Sequence, residues 1–111
     1  MPHCILEYSE NVINASRIIS ALKVIHDTLA SSLLFDKKNI KVRAIKYNDY
    51  LVNNNKEDFV HLQVAILAGR NERQKVLLSN TLLTNLSNII TNCNNITIEI
   101  RDINKALYSK K

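Results

Sequence analysis

The 111-residue chain carries one pattern twice. His3, Ile40, Arg43, Ile45 and Tyr50 recur as His61, Ile98, Arg101, Ile103 and Tyr108, each pair 58 positions apart. In both halves an apolar run leads to a helically spaced stretch and then to an alternating strand. This shared order points to a duplicated β-α-β unit, about 2–52 and 60–110, within a single domain, 1–111. Right-handed crossovers then place both helices on one face of the sheet. The predicted fold is an α+β two-layer sandwich, β-α-β-β-α-β, with a four-stranded mixed sheet.

The first strand is expected from about Pro2 to Tyr8. A helix follows, with Asn11 or Asn14 as candidate N-cap and Ile18, Leu22, Ile25 and Leu29 along one face. The second strand, about Ile40 to Tyr47, sets Ile40, Val42 and Ala44 against Lys41, Arg43 and Ile45. The third, Phe59 to Leu67, is almost continuously apolar and therefore expected at the sheet centre. Gly69-Arg70-Asn71-Glu72 opens a second helix faced by Leu78, Leu82, Leu86 and Ile89, before a fourth strand, Ile96 to Ile103. With one glycine and one proline in the whole chain, turns fall to asparagine, notably Asn53-Asn54-Asn55 and Asn92-Cys93-Asn94-Asn95. The face without helices would expose Ile45, Leu67 and other apolar residues, and oligomerisation is the simplest way to cover it.

Composition narrows the function classes. No apolar run approaches the ~20 residues of a membrane span, and the start lacks a basic segment followed by a hydrophobic one. The expectation is a cytoplasmic protein without a membrane partner. Cys4 and Cys93 are far apart and form no CxxC, which argues against a disulfide scaffold or zinc knuckle. His3, His26 and His61 have no carboxylate or cysteine at ligand spacing, so no metal site is expected. A net charge of +5 favours anionic partners, either nucleic acid or a polycarboxylate.

The N-terminus is the candidate reactive centre. If Met1 is removed, Pro2 presents a secondary amine, and the strand behind it holds that nitrogen in place. An α-amino group titrates at roughly 7.7–8.0, so a modest shift makes it a base at neutral pH. Lys41 and Arg43 share one face of the second strand and form a candidate carboxylate clamp. The same cations would disfavour a protonated Pro2. The alternative for Lys41 and Arg43 is a set of interfacial salt bridges or a solvated strand end. Arg70, beside a helix start, joins the candidates as an anion ligand or as a solvated loop cation.

The segments Pro2-His3-Cys4-Ile5-Leu6-Glu7-Tyr8-Ser9, Ile40-Lys41-Val42-Arg43-Ala44-Ile45, and Phe59-Val60-His61-Leu62 running to Gly69-Arg70 resemble the 5-carboxymethyl-2-hydroxymuconate isomerase family of the tautomerase superfamily. The resemblance implies a homotrimer with sites at subunit boundaries and cofactor-free keto–enol chemistry within aromatic-compound catabolism (homoprotocatechuate degradation). It casts Pro2 as general acid/base, with Lys41, Arg43 and Arg70 holding the carboxylates of a small anionic substrate. Lys41 stands where the family usually shows arginine, and Asn39 where it usually shows glycine. Two other readings remain: a basic ferredoxin-like module binding RNA or protein, and a catalytically silent trimer. The segment Val60-His61-Leu62-Gln63-Val64 offers no aromatic platform for stacking bases, so no nucleic-acid partner is expected.

Overall fold

The computed structural model describes residues 1–111. Its elements are β1 (His3–Ser9), α1 (Ile18–Ser31), β2 (Lys41–Tyr47), β3 (Val60–Leu67), α2 (Glu72–Ile89) and β4 (Ile96–Ile103). The strands form one sheet in the order β2-β1-β3-β4, so the apolar third strand is indeed interior. β1 and β2 are parallel, as are β3 and β4, because each helix returns the chain to the end where its unit began. β1 and β3 join the two units in antiparallel pairing. No helix is long and apolar enough to cross a membrane.

The two-residue side-chain period divides the sheet. Cys4 and Leu6 of β1 and Val60, Leu62, Val64 and Ile66 of β3 are buried under the helices. They meet Ala21, Ile25 and Leu29 of α1 and Leu78, Leu82 and Leu86 of α2. Full burial of a leucine or isoleucine contributes roughly 1.5–3 kcal/mol, so this layer holds the fold together.

Two expectations are revised. α1 begins at Ile18 after Arg17, with no side-chain cap. Asn14 instead accepts from the Arg17 N–H at 3.1 Å within the preceding turn, while Asn11 lies further upstream. α2 starts as expected, with a reciprocal capping box between Asn71 and Gln74. The open face is also less apolar than anticipated. Ile5, Ile45, Ala65, Leu67 and Ile103 share it with Glu7, Lys41, Arg43, His61, Glu99 and Arg101. The reason is the strict alternation: most of the strands' apolar residues went to the helix side.

The halves differ in register. His3 pairs with Lys41, whereas His61 pairs with Thr97. Arg43 therefore lies beside Ile5, but Arg101 lies beside Ala65, one pleat further along. A two-residue slip keeps each side chain on its face while moving it to another rung.

Candidate active site at the head of the first strand

The topology gathers one end of the sheet. The starts of β1 and β2 and the ends of β3 and β4 lie together, bringing Pro2, Lys41, Arg70 and the segment after Ile103 to the same edge. Pro2 is buried, and its carbonyl accepts from the Lys41 N–H at 3.0 Å. Parallel pairing with β2 thus extends to the residue that carries the candidate nitrogen. In the chain with Met1 attached that nitrogen is an amide. The terminal amine of Met1 donates to the Asn39 carbonyl at 3.1 Å.

Around this amine the charge is one-sided. Lys41 Nζ donates to the same Asn39 carbonyl at 3.0 Å, and Lys110 Nζ donates to Asn39 Oδ1 at 3.2 Å. Arg43 donates to His3 Nδ1 at 3.1 Å. None of Lys41, Arg43 and Lys110 takes part in the ion pairs of the chain. Desolvation first, then Lys41 and Lys110, lower the pKa of the Met1 amine below its usual value. The His3 imidazole is likewise pushed down by burial, then by Arg43 and Lys41.

Arg70 is held differently. Its guanidinium donates to the Leu67 carbonyl at 3.5 Å and to the Leu34 carbonyl, and it lies 4.9 Å from the Phe35 ring centre. It ties the end of β3 to the connection between α1 and β2. Lys41 and Arg43, by contrast, are exposed and on one face.

The other cations of the open face are neutralised locally. Glu99 accepts from Arg101 at 2.8 Å and lies 3.3 Å from His61 Nε2, and these hydrogen bonds hold its carboxyl below the usual range. His61 is therefore far along the sheet from His3, and His26 sits on α1 beside Asp27. Sequence reasoning missed Lys110, and it treated Tyr108 only as half of a repeat pair. Tyr108 Oη lies 3.1 Å from His3 Nε2.

A family model described as 5-carboxymethyl-2-hydroxymuconate isomerase matches residues 2–111. The chain belongs to that family. It is an isomerase of the tautomerase superfamily. Among solved structures it is similar to a 5-carboxymethyl-2-hydroxymuconate isomerase from Deinococcus radiodurans R1, with 27% identity and a TM-score of 0.85 over 99% of this chain and 88% of that one. A fused 4-OT symmetric trimer shares 16% identity, TM-score 0.83, over 97% of this chain and 90% of that one. A macrophage migration inhibitory factor-like protein from Entamoeba histolytica shares 10%, TM-score 0.79, over 99% and 95%. The last two likenesses speak to the fold alone. No curated protein sequence gives a significant match.

Proposed function

We propose that the chain is a 5-carboxymethyl-2-hydroxymuconate delta-isomerase that works through Pro2 once Met1 is removed. The observation that carries this reading is Pro2 fixed at the head of β1 by pairing with β2, next to a terminal amine whose pKa is lowered by burial and then by the flanking Lys41 and Lys110. The same burial and cations would favour the neutral, basic form of a Pro2 amine in that position. It takes the proton from the 2-hydroxyl group of the dienol and returns it to the carbon at the far end of the conjugated system. The double bonds shift, and no oxidant, reductant or cofactor enters.

Lys41 and Arg43 bind substrate carboxylates and offset the negative charge that builds on the dienolate. Arg43 presents a planar fork to a carboxylate, whereas Lys41 acts as a point charge. Arg70 completes the set assigned to the substrate, although two of its donors serve backbone carbonyls. The working unit is a homotrimer that packs its open sheet faces together. Support comes from Ile45, 46% exposed on that face, and from likeness to a protein described as a symmetric trimer.

The test is Pro2→Ala beside the parent protein, with intact mass confirming loss of Met1 in both. A positioned base supplies about 10²–10⁴-fold, so turnover of 5-carboxymethyl-2-hydroxymuconate should fall by that factor. Undiminished turnover refutes the mechanism.

A further inference from the structure

The chain after β4 does not leave the molecule at the sheet edge. Lys105 brings its Nζ to within 3.6 Å of the position a Cβ on Gly69 would occupy, beside the end of β3. Tyr108 then meets His3 at the head of β1, with rings edge-on at 6.1 Å. Lys110 reaches Asn39 at the head of β2. The segment is thus a strap crossing the edge where Pro2 lies, passing Gly69 after β3 and held at His3 of β1 and at Asn39 ahead of β2.

Lys110 is exposed, lacks a carboxylate partner and is aimed by Asn39 Oδ1, an acceptor that a glycine at this position would not supply. The Asn39 carbonyl meanwhile takes Lys41. One residue therefore holds two ammonium groups beside the terminal amine, with Arg43 on the neighbouring rung. Lys41 and Lys110, neither with an acidic partner, flank the Met1 amine, and Arg43, also without one, stands against His3. The substrate of the reading above carries three carboxylates, one of them on the 5-carboxymethyl arm.

We propose that Lys110, positioned by Asn39, is the specificity residue for a third carboxylate, so that this site favours tricarboxylates over dicarboxylates. The proposal rests on the Pro2 site described above, and its test separates the two. Titration calorimetry at fixed ionic strength compares propane-1,2,3-tricarboxylate with glutarate on four proteins lacking Met1. These are the parent, Lys110→Gln, Asn39→Ala and Lys111→Gln.

One well-placed charged hydrogen bond is worth at least about 10-fold in affinity, and the parent should prefer the tricarboxylate by about that factor. Lys110→Gln should bring the two ligands to within about twofold, the residue of unspecific attraction. Asn39→Ala keeps the charge but removes its anchor, and most of the preference should go with it. Lys111→Gln removes an equal charge one residue further along the tail and should keep the preference. No preference in the parent, its survival in Lys110→Gln, or an equal loss in Lys111→Gln would overturn the proposal. Turnover of 5-carboxymethyl-2-hydroxymuconate by the same parent sample is read separately. If it is absent while the binding pattern holds, the isomerase reading fails and the tricarboxylate site stands.

Discussion

Arg43 donates a guanidinium N–H to His3 Nδ1 at 3.1 Å, and this one contact settles the state of the imidazole. A guanidinium has no acceptor, so Nδ1 must be the lone-pair nitrogen and the ring proton sits on Nε2. From there it is donated to Tyr108 Oη, 3.1 Å away. A cationic His3 would lose the first bond and face Arg43 and Lys41 as like charges.

Stability should therefore depend on pH through His3. Its pKa in the fold lies below the ordinary 6.5, so between the two values the unfolded chain binds more protons. Stability falls as pH drops through that window and is regained above it. The urea midpoint of the parent should decrease from pH 7.5 to pH 5.5, and His3→Gln should flatten that dependence. The terminal amine, lowered from 8.0, adds a slope of the same sign to both proteins, while Glu99 acts only below about 4.5 and stays out of this window. Equal slopes for the two proteins would refute the assignment.

Arg43 should matter more to turnover than Lys41. Arg43→Ala removes a pre-aimed donor to charge that grows during the reaction, and kcat/KM should drop about 100-fold. Arg43→Lys should recover part of that loss, since charge remains but the fork does not. Lys41→Arg should retain activity. Steady-state kinetics with 5-carboxymethyl-2-hydroxymuconate decides this, and an Arg43→Ala enzyme within twofold of the parent contradicts it.

Neither cysteine should react in the folded protein. Burial pushes the Cys4 thiol up to about 12, and burial also raises Cys93. A thiol reagent at pH 8 should label both only after urea unfolds the chain. Prompt stoichiometric labelling of the native protein would show that one of these sites opens.

Leu33 follows α1 with φ of 62° and is 90% exposed, so it bears left-handed strain without burial in return. Leu33→Gly removes the Cβ clash at a helix C-terminus and should raise stability by about 0.5–1 kcal/mol. The midpoint of thermal unfolding reports it, and a fall would mean that Leu33 contributes contacts elsewhere. Asn53 and Asn54, in the connection between β2 and β3, have φ of 51° and 60° and carry the same geometry at less cost.

Much of the fold was legible because its determinants are local. Alternation in Lys41–Tyr47 and Ile96–Ile103 and helical spacing of Leu78, Leu82 and Leu86 need only neighbours in the chain. The helix start at Ile18 was not, since Asn11 and Asn14 are equally good turn formers and only packing chose between cap and turn. The repeat was visible as identities 58 positions apart, but not the register difference between the two strand pairs. Strand register depends on partners that the repeat itself does not specify.

The sequence by itself determined the order of elements, the apolar layer, and the placing of Lys41 and Arg43 on one face beside a strand-borne Pro2. Periodicity suffices for that, because each side chain's direction follows from its own backbone. Only the tertiary structure decided which cations meet at the amine. Lys110 is 71 residues from Asn39 and comes to it along a path that no local pattern encodes. Arg70, close to the same edge, is instead drawn to backbone carbonyls and the Phe35 ring. Chain topology and the pairing of polar groups, rather than residue type, made that choice.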